Sequence, residues 1–255
     1  MDIKRRDFLR LIAGAAAAGG VAGVVKTLTA EEKKAVYATS KQRWVFLVDT
    51  NKCVGCGMCV RGCKLENEIP YEAPITRTWV ERYVVLKDGR VLADNPMGAR
   101  DGYTANDPQG KAVKPEDIKK AFFVPKLCNQ CDKPPCVQVC PVGATYRTAD
   151  GVVLVDRKWC IGCGYCIMGC PYGVRFFNPV HKVAEKCNWC YHRIHKGLEP
   201  ACVFACPFGA RKIGDFKNPD DPVTKTIMTE RVSILKDEYG TKPMVYYLGL
   251  DENVR

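Results

Sequence analysis

Apolar residues along this chain come in short runs broken by turn-forming residues. Val80 to Leu86, then Lys87-Asp88-Gly89-Arg90, then Val91-Leu92 predicts a β-hairpin. Val152 to Asp156, after the Asp150-Gly151 turn, predicts a further strand. Asn95 to Pro115 and Asp215 to Pro222 are rich in Gly, Pro and Asp and predict loops. Near the end, Val245-Tyr246-Tyr247-Leu248 is apolar, and two readings of it stand: packing on its own domain, or an interface with a partner. No stretch reaches the ~20 apolar residues that a membrane-spanning helix needs.

The start of the chain has a different pattern. MDIKRRDFLR is followed by Leu11 to Val25, a weakly apolar stretch dominated by Ala and Gly. A basic start before a short apolar segment is the outline of an export signal. Arg5 and Arg6, followed by Phe8 and Leu9, resemble the twin-arginine motif, with Lys4 where Ser or Thr is usual. That route carries folded proteins, so the expectation is insertion of any cofactor first and work on the periplasmic face of the cytoplasmic membrane afterwards. A membrane anchor is the competing reading. Val36-Tyr37-Ala38 and Leu28-Thr29-Ala30 offer cleavage sites, and retention of the segment stays open.

Composition changes the picture through cysteine, with 16 in 255 residues. They fall into four quartets: Cys53, Cys56, Cys59, Cys63; Cys128, Cys131, Cys136, Cys140; Cys160, Cys163, Cys166, Cys170; and Cys187, Cys190, Cys202, Cys206. None is left over. The first and third have the spacing C-x2-C-x2-C-x3-C. In the second, third and fourth the last cysteine precedes Pro141, Pro171 or Pro207, and Lys64 takes that place in the first. This is the bacterial ferredoxin pattern: three cysteines wrap one cluster and the fourth ligates its neighbour. The prolines suggest helix starts presenting N–H groups to an anionic cluster. Gly55, Gly57, Gly162 and Gly164 suit a backbone that closes on a cluster. Disulfides and structural zinc are the competing readings, and neither explains the repeated three-cysteine loop or the repeated Cys-Pro.

The second and third quartets are separated only by Pro141 to Trp159, room for a helix, a turn and a strand. They therefore form one two-cluster module, inserted between the halves of another made by the first and fourth. The exchange rule then groups Cys53, Cys56, Cys59 with Cys206, and Cys187, Cys190, Cys202 with Cys63. It also groups Cys128, Cys131, Cys136 with Cys170, and Cys160, Cys163, Cys166 with Cys140. The expected fold is α+β, two interleaved bacterial-ferredoxin-like modules, each binding two [4Fe–4S] clusters. Its parts are a signal and linker at 1–38, the first half of the outer module with an insertion at 39–127, and the inner module at 128–180. The second outer half follows at 181–215 and a C-terminal docking tail at 216–255.

Net charge is +11, and seven basic and four acidic residues within 1–38 leave +8 for the rest. Four clusters on thiolates carry about −2 each, bringing the sum close to zero. The basic residues thus offset cluster charge, and no nucleic-acid partner is expected. There is no C-x-x-C-H for haem and no dinucleotide fingerprint. His192 and His195 fit surface or cluster-side hydrogen bonds, and Trp159 and Trp189 fit packing that keeps water off a cluster. A chain with clusters and no small-molecule substrate site is a conductor of single electrons, not a catalyst by itself.

On these motifs, from Cys128-Asn129-Gln130-Cys131 to Cys206-Pro207, residues 44–250 resemble the four-cluster iron–sulfur subunits of the molybdopterin oxidoreductases. Dimethyl sulfoxide, polysulfide, thiosulfate and tetrathionate reductases contain such subunits. The resemblance implies a molybdopterin-type catalytic partner and, at the other end, a quinone-binding integral membrane subunit or a multihaem cytochrome. Cys163 stands where some nitrate-reductase relatives have Trp, which implies [4Fe–4S] there rather than [3Fe–4S]. A free-standing polyferredoxin shuttle and a metal-stabilised scaffold without redox role are the rival functions.

Overall fold

The computed structural model describes residues 40–103 and 113–254. Arg5, Arg6 and the signal segment lie outside the described residues, as does part of the Asn95–Pro115 loop. The strands are β1 (Trp44–Asp49), β2 (Thr78–Leu86), β3 (Val91–Asp94), β4 (Ile118–Leu127), β5 (Thr145–Arg147) and β6 (Val153–Val155). They continue with β7 (Phe176–Phe177), β8 (Ala184–Glu185), β9 (Arg211–Asp215), β10 (Val232–Ser233) and β11 (Val245–Leu248). The α-helices are α1 (Met58–Glu66), α2 (Pro135–Gln138), α3 (Tyr165–Met168), α4 (Tyr191–Ile194), α5 (Ala201–Phe204) and α6 (Pro222–Thr229).

A four-stranded sheet in the order β10-β11-β1-β9 closes the two ends of the described chain on each other. Val45 to Val48 are all buried, so β1 is apolar on both faces and suits an interior strand. It pairs antiparallel with β9 (Phe46 opposite Ile213) and parallel with β11 (Phe46 opposite Val245). The segment expected as a docking tail is therefore built into the sheet, with Val245 and Tyr247 wholly buried. Its alternation (Val245 and Tyr247 inward, Tyr246 and Leu248 part-exposed) is that of a half-buried strand.

The expected hairpin forms as β2 and β3, Val85 opposite Val91, with Gly89 at φ 88° in the turn. A third strand, β4, pairs with the other edge of β2 from Thr78–Leu127 onward. The strand expected near Val152 is β6, paired with β5.

Helix placement differs from expectation. Pro141, Pro171 and Pro207 do not start helices. Each is the second residue of a Cys-Pro-x-Gly turn, closed by Gly143 N–H to Cys140 O, Gly173 N–H to Cys170 O and Gly209 N–H to Cys206 O, all at 3.3 Å. Proline's fixed φ serves the second position of a turn as well as it serves a helix start, and glycine is favoured at the fourth. The short helices α2, α3 and α5 instead precede the last cysteine of their quartets. In the first quartet no turn intervenes, and α1 runs on through Cys63 and Lys64. Lys64 is 2% exposed, and its ammonium donates to the carbonyls of Pro70, Tyr71 and Ala73 at 3.2, 3.1 and 2.6 Å. A lysine here continues the helix and ties down the loop that follows it.

Candidate metal centres

Quartets one and four are brought together by α1 and α5. A Cβ on Gly62 would stand 2.9 Å from the Ala205 Cβ and 3.3 Å from the Ala201 carbonyl, so glycine sets how closely these helices approach. The loop before α1 doubles back through Gly55 (φ 70°) and Gly57 (φ 73°). One small cavity is lined by Cys53, Cys56, Cys59 and Cys206, together with Arg211 and Phe208. Cys63 faces the other way, toward Cys187, Cys202 and Cys190. Asn67 joins the two sides: its amide donates to the Cys63 carbonyl at 2.9 Å and lies 3.5 Å from Cys63 Sγ and 3.7 Å from Cys190 Sγ.

Quartets two and three meet through α2 and α3, where Gly169 approaches the Val139 side chain. A second small cavity is lined by Cys128, Cys131, Cys136 and Cys170, with Arg175 and Tyr172 at its wall. Cys166 lies beside Cys160 and, across the seam, Cys136. Cys163 is exposed. Cys140 stands among backbone donors: burial pushes its thiol upward, yet the N–H groups of Thr145, Val142 and Ala144 outweigh this and hold it below the ordinary value.

Most other thiols shift the opposite way. Burial raises Cys53 to about 11 and both Cys131 and Cys187 to about 12, and it raises Cys63 and Cys202 as well. All sixteen are free thiols. Among the described residues no three His, Cys, Asp or Glu side chains converge tightly enough for a single ion. Two cavities each lined by four cysteines, three from one quartet and the last from its partner, suit a metal cluster.

Residues 119–216 match the family described as a 4Fe-4S dicluster domain, and residues 52–144 match a second family with the same description. A tetrathionate reductase subunit of Salmonella typhimurium is 36% identical over 254 residues, covering 99% of this chain and 90% of that protein. A tetrathionate reductase subunit of Archaeoglobus fulgidus is 43% identical, covering 82% and 83%. A selenate reductase subunit of Mesobacillus selenatarsenatis is 34% identical, covering 81% and 72%. The chain belongs to the four-cluster iron–sulfur subunits of the molybdopterin oxidoreductases. It is an electron-transfer subunit, and its cofactors are four [4Fe–4S] clusters.

The residues fit those clusters. A thiol buried in apolar surroundings is neutral on its own, and cluster iron supplies the charge that holds it as thiolate. Buried cations await that negative charge. Arg211 Nη1 and Arg175 Nε and Nη2 are buried without an oxygen or nitrogen partner, and the guanidinium groups lie against cysteine sulfurs, with the Tyr247 hydroxyl also beside Arg211. When bound, each cluster accepts and releases one electron; the chain's part is to ligate, space and insulate.

For this iron–sulfur subunit the histidine expectation holds: His192 pairs with Glu66 at 2.6 Å and His195 with Asp150 at 2.9 Å, both at the surface. Trp189 packs at 1% exposure against Phe46, but Trp159 is 68% exposed and shields nothing within the chain. Arg175, Arg211 and Asn67 were missed in the sequence. The signal for the arginines was present, since each is the fifth residue after the last cysteine of its quartet.

Proposed function

We propose that this subunit is the conductor between a molybdopterin-type catalytic subunit and a membrane quinone-binding subunit or multihaem cytochrome of a respiratory reductase. The ligand groups of the proposal are Cys53, Cys56, Cys59 and Cys206; Cys187, Cys190, Cys202 and Cys63; Cys128, Cys131, Cys136 and Cys170; Cys160, Cys163, Cys166 and Cys140. The observation that carries the grouping is that two cavities are each walled by three cysteines of one quartet and the last cysteine of its partner quartet. Proximity between groups supports one order. Cys59 acts on Cys202, Cys128 on Cys187, and Cys136 on Cys166. Electrons then pass by way of quartets one, four, two and three in turn.

Exposed apolar residues at both termini of that order support docking there. Val54 and Met58 flank quartet one, and Trp159, Ile161, Tyr165 and Met168 surround quartet three, 54–78% exposed. Lone exposed apolar residues are ordinary, but a group of four around an exposed cluster ligand marks a contact surface. The relatives named as subunits of tetrathionate and selenate reductases support a complex over a free shuttle. Export folded through Arg5 and Arg6, to the periplasmic face, belongs to the same proposal.

The test is mild detergent extraction of native membranes, purification through this chain, and mass spectrometry of what stays bound. A large pterin-containing subunit with an integral membrane partner is the expected result. Recovery of this chain alone with all its iron overturns the complex and favours the shuttle. Separately, Arg5→Lys with Arg6→Lys leaves iron-loaded protein in the cytoplasm if the export reading is right.

A further inference from the structure

Two buried arginines lie against cysteines with no carboxylate partner; Lys186, also buried beside Cys136 and Cys187, instead gives its ammonium to the Val153 and Cys187 carbonyls. Arg77 is neutralised by Glu185 at 2.9 Å, as a buried guanidinium normally is. Arg211 is 1% and Arg175 5% exposed; the Tyr247 hydroxyl lies beside Arg211, and the other groups against both are cysteine sulfurs. On Arg211 these are Cys59, Cys202 and Cys53; on Arg175 they are Cys136, Cys166 and Cys128. Their own hydrogen bonds are few and long: Arg211 Nη2 to the Trp79 carbonyl at 3.5 Å, and Arg175 Nη1 to Thr145 Oγ1 at 3.4 Å. Toward sulfur, Arg211 is within hydrogen-bond reach of Cys59, and Arg175 of Cys136 and Cys166, while the remaining buried nitrogens have no oxygen or nitrogen partner.

Placement is the same in both modules. Arg211 lines the cavity of Cys53, Cys56, Cys59 and Cys206, and also faces Cys202 of the adjoining group. Arg175 lines the cavity of Cys128, Cys131, Cys136 and Cys170, and also faces Cys166 of its adjoining group. The sequence repeats accordingly: Cys170-Pro-Tyr-Gly-Val-Arg175 and Cys206-Pro-Phe-Gly-Ala-Arg211. The Cys-Pro-x-Gly turn sends the chain back past its own cysteine and delivers the arginine to the seam. Quartet two has Thr145 at that place, accepting from Arg175, and in quartet one the continuing helix α1 removes the turn. Each module thus receives one guanidinium.

We propose that Arg211 and Arg175 set the reduction potentials of the array, each giving one fixed positive charge shared by the two clusters of its module. The proposal rests on the ligand grouping above. An electron arriving at either cluster adds one negative charge beside the shared cation, which stabilises both reduced forms and keeps the step between them shallow. No bond forms or breaks and no proton moves, because a guanidinium keeps its charge at any working pH. Solvent does not screen the pair, since both side chains are buried.

The test is an EPR-monitored redox titration of the purified, cluster-loaded chain, with iron and acid-labile sulfide measured first so that a failure of cluster binding is seen separately. Arg211→Gln is expected to shift the reduction equilibrium of the two clusters at its seam tenfold or more toward the oxidised form, which is about 59 mV per one-electron couple. Arg175→Gln does the same to the other pair, and Arg211→Lys restores most of the shift. Unchanged potentials in the fully loaded glutamine variants overturn the proposal. If those variants lose iron, the unsubstituted chain decides: with guanidino-15N arginine, pulsed EPR of the reduced protein shows nitrogen coupling that Arg211→Lys and Arg175→Lys each reduce. Absence of that coupling also overturns it.

Discussion

Gly57 is the residue on which quartet one turns. Its φ of 73° lies where an L side chain costs ~1–2 kcal/mol, and a Cβ there would meet the Ala99 carbonyl oxygen at 2.0 Å. Gly209 has a similar φ of 60° but open space around it. The two positions separate backbone strain from collision. Gly209→Ala is expected to lower stability by ~1–2 kcal/mol and keep all iron. Gly57→Ala bears the same strain and must also push the Ala99–Arg100 backbone away, so it is expected to lose roughly a quarter of the bound iron, the share of one cluster in four. Iron analysis and thermal unfolding of both purified variants check this. Equal iron in the two shows that the Ala99 loop yields freely.

Among the elements, a buried clamp ties the two halves of the outer module to each other and, through Arg157, to the inner module. Arg77, just before β2, meets Glu185 of β8 at 2.9 Å, and Arg157 reaches the same carboxylate at 2.5 Å. Burial alone would raise the Glu185 pKa, but Arg77 and further hydrogen bonds outweigh it and hold it below the ordinary value. A depressed carboxylate stabilises the fold above its unfolded pKa of ~4.3, and that contribution is lost as pH falls through the folded value. Glu185→Gln is therefore expected to cost ~3–5 kcal/mol, by leaving Arg77 buried and unpaired. The gap from the unsubstituted protein is the same at pH 8 and pH 5.5, and it narrows only below ~4.3. Calorimetry at pH 8, 5.5 and 3.5 measures it; a gap that already differs between the two higher values counts against the clamp. A second element-scale expectation concerns β11. Ending the chain after Glu230 removes Met244, Val245 and Tyr247 from the core, at ~1.5–3 kcal/mol for each large side chain. That approaches the whole stability of a domain, so the truncated chain is expected to aggregate, whereas removal of a mere docking tail would leave the melting temperature unchanged. These elements differ in how far the sequence announced them. The β2–β3 hairpin was legible because its alternation and Asp88-Gly89 turn are local. The pairing of β1 with β11 was not, because parallel partners some 200 residues apart leave no local mark. The four quartets were legible through their spacing, while the helices were displaced because proline suits a turn and a helix start alike.

Across the molecule, charge and cluster order act together. The chain outside residues 1–38 carries +8, and four clusters at about −2 each cancel it, with Arg175 and Arg211 placing part of that positive charge at the seams. A conductor so balanced starts with little net long-range field, and its behaviour then depends on the order of sites. On the proposed order, quartet three is an end and quartet four is interior. Cys163→Ser alters only the exposed end, and Cys202→Ser, at a buried position next to Cys59, alters an interior site. In the assembled complex the two are expected to differ in which clusters remain reducible from each partner. With Cys163→Ser, the other three still fill from the quartet-one end while end-to-end transfer slows at least tenfold. With Cys202→Ser, the cluster of quartet one is cut off from the quartet-three end. Rapid-mixing EPR, with electrons fed first through one partner and then through the other, reads this directly. Full-speed end-to-end transfer in either variant means the clusters are not in series, and the proposed order falls.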